Sequence, residues 1–99
     1  ILELMKPTSL FINTSRGGLV NENDLANALR SGKIAGAALD VLSSEPPEID
    51  HPLMSDTIPN LLITPHIAWI SLEARMRLLE GVISNIKSFI SGNPSNRVA

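Results

Sequence analysis

The chain has 99 residues, 43% of them hydrophobic and 18% charged, with a net charge of -2 and no cysteine. That length fits one small domain with little stability to spare, and the composition is that of a globular rather than a disordered chain. The charge gives no footprint for nucleic acid or an anionic membrane surface, the cysteine count excludes disulfides and thiolate metal sites, and every apolar run falls far below the ~18 residues of a membrane-spanning helix.

In chain order, Ile1-Leu2-Glu3-Leu4-Met5 reads as the last turns of a helix entered midway, so the chain is expected to be a fragment of a longer protein; nothing at its start resembles a signal peptide. Lys6-Pro7-Thr8 breaks the helix, because the proline ring clashes with a preceding helical turn and restricts the residue before it. Ser9 to Asn13 reads as a short strand apolar on both faces, the pattern of a buried parallel strand, and Thr14-Ser15-Arg16-Gly17-Gly18 ends it. Asn21 suits an N-cap, with Glu22 and Asp24 in a first turn where the helix dipole favours negative charge. Leu25, Ala28 and Leu29 fall on one face of that helix, and Gly32 stands where a left-handed C-terminal cap is expected.

The second strand is expected over Ile34–Asp40, where small residues suit close packing of helix on sheet. A proline-rich loop of about twenty residues, Val41 to Asn60, comes after it; loops that long are usually functional or disordered. Leu61 to Thr64 gives a third strand, closed by Pro65-His66. Ser71 caps a long last helix running to Gly92, with Leu79, Val82, Ile83, Ile86, Phe89 and Ile90 in a stripe at helical spacing, and a polar tail ends the chain.

Strands alternating with helices imply a parallel, open α/β sheet, whose ligands sit outside the carboxyl ends of the strands. Those ends carry Thr14-Ser15-Arg16, Asp40 and His66: an arginine, an acid and a histidine on one rim. Each also has a plainer reading. Arg16 beside two glycines suits a surface turn, Asp40 a cap, Glu45 a solvated loop, and His66 after a proline a structural histidine. His51 has only the plain reading, since it lies mid-loop with no acid or metal-ligand partner at a telling spacing.

Four stretches carry a resemblance that spans essentially the whole chain: Met5 to Val20 around Asn13-Thr14-Ser15-Arg16-Gly17-Gly18, Gly32 to Val41, Ser44-Glu45-Pro46-Pro47, and Thr64-Pro65-His66-Ile67-Ala68-Trp69. Together they resemble the D-isomer-specific 2-hydroxyacid dehydrogenases. Ala68-Trp69, Glu73-Ala74-Arg75 and Asn96-Arg97-Val98 most resemble that family's bacterial glycerate dehydrogenase, or hydroxypyruvate reductase, branch.

The resemblance implies an α/β fold: the C-terminal half of a Rossmann-type parallel-sheet NAD(P)-binding domain over residues 1–70, and over residues 71–99 a long helix and tail returning to the substrate domain. It implies hydride transfer between NAD or NADP and a small 2-oxo acid. Arg16 would bind the substrate carboxylate, His66 would act as general acid, and Glu45 would orient and charge the imidazole. Thr14, Ser15, Arg16, Asp40, His66 and Ala68 would line the cofactor, with Asp40 near the carboxamide, and Trp69 the substrate pocket, unless Trp69 is a core or interface aromatic. No metal is expected. The glycine-rich phosphate turn and the ribose-reading residue would lie upstream, which leaves NAD against NADP open. A homodimer in the full-length protein and a cytoplasmic location are expected, with neither nucleic acid nor membrane as a partner. The same fold also serves corepressors that sense the dinucleotide without turning over substrate, and fold alone does not separate the two.

Overall fold

A computed structural model describes residues 1–55 and 57–98 and divides the chain into two compact units, Ile1–Ala68 and Trp69–Ala99. The first unit opens with a 3-10 turn at Leu2–Leu4, which the break at Lys6-Pro7 separates from the first strand. Strand β1 (Leu10–Asn13), helix α1 (Glu22–Arg30), strand β2 (Gly36–Leu39) and strand β3 (Leu61–Ile63) come next in order. The strands form one parallel sheet in the order β1-β2-β3, with Asn13 beside Leu39 and Leu39 beside Ile63. Their carboxyl ends therefore lie level, along one rim.

Alternation along each strand decides which side chains meet α1. Phe11, Ala37, Leu39, Leu61 and Ile63 share one face and cluster with Leu25, Ala28 and Leu29 of the helix. The helix starts on the expected cap, Asn21 Oδ1 accepting from the Asp24 amide at 3.1 Å. It ends in a Schellman turn: Gly32, at φ 67°, and Lys33 donate to the carbonyls of Leu29 and Ala28.

Two expectations need correction. Strand β1 is not buried on both faces, because Leu10 and Ile12 are each 66% exposed and Leu62 of β3 shares that open face. The second strand is shorter than the expected Ile34–Asp40 and the third stops one residue short of Thr64: Ile34 is buried in the core, while Asp40, whose amide still donates to the Asn13 carbonyl, turns its carboxylate to the residues after β3.

Among its described residues the long loop has no regular element, but it is anchored. Val41, Leu42 and Leu53 are buried, and Leu53 belongs to the core cluster. The second unit is helix α2 (Leu72–Ile90) and its tail. Ser71 caps it by accepting from the Ala74 amide, Gly92 at φ 77° ends it, and Asn96 returns to donate to Asn85. Its predicted apolar stripe is present and exposed. Among the described residues no helix is long and apolar enough to cross a membrane.

Candidate active site

Each strand delivers its residue to the rim by a different device. At the end of β1 the buried Asn13 side chain donates to the Arg16 carbonyl at 2.9 Å and accepts from the Ser15 amide at 3.1 Å. This Asx turn shapes the backbone that carries Thr14, Ser15 and Arg16, all exposed. Arg16 Nη1 donates to the Ser15 carbonyl at 2.7 Å, and among the described residues its guanidinium forms no ion pair. Gly17 comes next because nothing larger fits: a Cβ there would overlap the backbone of Leu42 and Ser43.

At the end of β2 the Asp40 carboxylate is buried and fully engaged. It accepts from the Thr64 hydroxyl at 2.5 Å and from the Ile67 and Ala68 amides at 2.9 Å each. The Thr64 hydroxyl, followed by the two amides, holds this carboxyl below the usual range against its burial. The contacts of Asp40 thus tie the end of β2 to the segment after β3.

After β3, His66 takes a left-handed backbone at φ 55°, a conformation that histidine tolerates better than most residues. Its amide donates to the Asp40 carbonyl at 2.9 Å, so Asp40, just past β2, holds His66 by its backbone and the neighbouring Thr64, Ile67 and Ala68 by its carboxylate. Its Nδ1 lies 2.7 Å from Glu45 Oε2, and both side chains are part-exposed. Glu45 Oε1 accepts from the Leu42 amide at 2.9 Å. The histidine contact first, and that amide second, hold the Glu45 carboxyl below its ordinary range. A largely apolar cavity of about 460 Å³ opens under the pair, lined by Leu42, Pro46, Met54, Ile63 and Pro65 among others.

The structure therefore brings Glu45 and His66 together, joins Asp40 to the segment carrying His66 and Ala68, and puts Arg16 on the same rim at the end of the neighbouring strand. Trp69 is 53% exposed and begins the second unit. Among the described residues no three His, Cys, Asp or Glu gather as metal ligands.

Sequence reasoning missed the support behind these residues. Asn13 carried a local signal, a polar residue ending an apolar strand before a turn. His51 was read as unpartnered, and this is corrected: it is buried, with Nε2 3.0 Å from Glu22 Oε2. Glu22 also accepts from the Ser43 amide at 2.7 Å and from the Ser43 hydroxyl. Burial pushes the Glu22 carboxyl up, but the Ser43 donors and His51 outweigh it and hold it low. Its partners stand 21 and 29 residues away, so no local pattern announces them.

The chain is similar to known proteins over nearly its whole length. Glycerate dehydrogenase of Methylorubrum extorquens is 44% identical over 97 residues, covering 98% of this chain and 31% of that protein. Hydroxypyruvate reductase of Blautia hydrogenotrophica is 46% identical over 94 residues, covering 95% of this chain and 29% of that protein. The chain thus spans about a third of the length of these relatives. Among solved structures, the NADPH-dependent glyoxylate/hydroxypyruvate reductase of Sinorhizobium meliloti in complex with citrate superposes with a TM-score of 0.75 at 37% identity, over 99% of this chain and 31% of that one. Residues 1–68 match the family model described as "D-isomer specific 2-hydroxyacid dehydrogenase, NAD binding domain", and the chain belongs to that family.

Proposed function

We propose that the full-length protein is an NAD(P)-dependent dehydrogenase that reduces a small 2-oxo acid, hydroxypyruvate or glyoxylate, to D-glycerate or glycolate. The observation that carries this reading is the Glu45–His66 contact on the rim that also bears Arg16. The names of the relatives supply the substrate class.

Such a reduction needs a hydride at the carbonyl carbon, a proton for the developing alkoxide and a cation for the substrate carboxylate. When bound in its reduced form, NADH or NADPH, the dinucleotide would supply the hydride. Arg16 grips the carboxylate with its planar fork and polarises the carbonyl oxygen. His66, protonated, gives its Nε2 proton to that oxygen, while Glu45 on Nδ1 fixes the ring and favours its charged form. In the oxidation of a 2-hydroxy acid the same nitrogen takes the proton back.

The donor set fits the nicotinamide end of a dinucleotide rather than its phosphates. Thr14 and Ser15 offer exposed hydroxyls, and the His66–Ala68 stretch, whose amides are already held by Asp40, offers carbonyls that suit a carboxamide amine rather than a pyrophosphate. Asp40 serves this end mainly by holding that stretch, and its own approach to the carboxamide belongs to the same proposal. Residues 1–70 form the cofactor-binding part, and 71–99 run to the substrate domain, with Trp69 lining the substrate pocket. We further propose a homodimer and a cytoplasmic location.

The test is oxidation of NADH and of NADPH by the full-length protein with hydroxypyruvate and glyoxylate, monitored by absorbance. Turnover lost in His66→Ala supports the reading. Cofactor binding without turnover of any small 2-oxo acid would make the protein a dinucleotide sensor instead.

A further inference from the structure

Behind the rim lies a second cluster of titratable groups. Glu22, in the first turn of α1, is 9% exposed and gives both carboxylate oxygens to the long loop: Oε1 to the Ser43 amide, Oε2 to the Ser43 hydroxyl and to His51. His51 Nδ1 accepts from the amide of Leu53, a core residue, at 3.3 Å. Its proton therefore sits on Nε2, pointing at Glu22. A buried carboxylate is costly unless it is fully hydrogen-bonded, and here the donors come from the loop. Val41, Leu42 and Leu53 already bury that loop. Apolar burial is non-directional, however, and does not set where one carboxylate oxygen lies. Hydrogen bonds do.

One residue from Ser43, the Leu42 amide donates to Glu45 Oε1, and Glu45 Oε2 meets His66. On the other side, Gly17 presses its backbone against Leu42 and Ser43, so the turn bearing Arg16 rests on the same two residues. We propose that Glu22 is a positioning residue of the reaction: through Ser43 it fixes the Leu42–Glu45 turn that orients His66, and His51 keeps Glu22 aimed. The assignment to a reaction rests on the function proposed above; the linkage from Glu22 to Glu45 does not.

In the full-length enzyme, Glu22→Gln should lower kcat/KM for 2-oxo acid reduction about tenfold to a hundredfold, the usual penalty of a small misplacement at a reacting centre. It should also move the alkaline limb of the pH profile to lower pH, as is expected of Glu45→Gln for loss of the negative charge beside His66, and add nothing in the Glu45→Gln background. Unchanged kinetics with only a lower melting temperature would overturn the proposal, and so would an equal further loss on top of Glu45→Gln. If Glu22→Gln fails to fold, His51 decides: His51→Gln, which keeps an N–H donor towards Glu22, should retain the wild-type profile while His51→Met loses it. Equal behaviour of the two would overturn it.

A readout independent of turnover separates the linkage from the function. The groups facing Glu45 are His66, the Leu42 amide and Asp40. In protein carrying ¹³C-labelled glutamate carboxyls, the Glu45 resonance should titrate closer to an ordinary glutamate in Glu22→Gln. If it does so in a protein that reduces no 2-oxo acid, the functional reading fails and the linkage stands. A Glu45 titration that does not move overturns the linkage even in an active enzyme.

Discussion

Arg16 presents two parallel donors, whereas lysine presents a point charge on a flexible stem. Arg16→Lys should therefore raise KM for the 2-oxo acid and lower kcat together. A loss of about 2–4 kcal/mol in transition-state stabilisation is expected for a contact to developing negative charge. Steady-state kinetics on the full-length protein checks this, and unchanged values would reduce Arg16 to a turn residue. Glu45 contacts His66, the other residue of the proposed reaction. Its carboxyl titrates below its ordinary range, so its hold on His66 persists as pH falls through that range and is lost only beneath it. Neutral glutamine gives the imidazolium no such help. Glu45→Gln should shift the alkaline limb of reduction to lower pH, and oxidation, which needs the neutral ring, should become active at lower pH. Paired pH profiles in both directions test it; limbs that stay put while His66→Ala is inactive would mean that another acid orients the histidine. Arg16, Asp40 and His66 were legible because each ends a strand on one rim, and Glu45 because of its family motif. Glu22 and His51 were not, because a hydrogen bond across 29 residues leaves no spacing to read.

Helices α1 and α2 were readable from their caps, their 3.6-residue stripes and the glycines that end them. Strand β1 was misjudged because an apolar run records which residues tolerate burial, not whether a layer lies over them. The loop between β2 and β3 was recognised as long, but its order comes from bonds to α1 and to the core. Gly17 tests how closely that loop and the turn after β1 are fitted. In Gly17→Ala the new methyl meets backbone, which no rotamer change relieves, so a loss of about 1–3 kcal/mol is expected from the overlap. Gly18→Ala next to it meets open space and should stay within about 0.5 kcal/mol of wild type. Urea midpoints at unchanged m-value measure both, and equal stability of the two variants would contradict the contact.

At the scale of the whole molecule, each unit taken by itself leaves apolar surface open. In the first unit Leu10, Ile12 and Leu62 line one face of the sheet; in the second, Leu79, Val82, Ile86 and Phe89 run along α2. Contiguous surface of this kind marks a place where protein is to be covered. The 99-residue chain expressed by itself should therefore self-associate, its sedimentation coefficient rising with concentration. Ile12→Lys with Leu62→Lys should weaken that association while leaving the helical circular dichroism in place. A chain that stays monomeric across the range would mean that these faces are tolerated in water.

The left-handed backbone at His66 makes substitutions there unequal in a way that has nothing to do with acid catalysis. Asparagine enters this region of conformational space readily, whereas a β-branched side chain crowds its own carbonyl; the general penalty of the left-handed form is about 1–2 kcal/mol. His66→Asn and His66→Val should be equally inactive, since both lack the ring. The valine protein should nonetheless melt several degrees lower, because it alone must hold a torsion its side chain resists. Matching melting curves for the two would show that the segment after β3 relaxes once the imidazole is gone, and that the ring, rather than the strand ends around it, keeps the main chain in this shape.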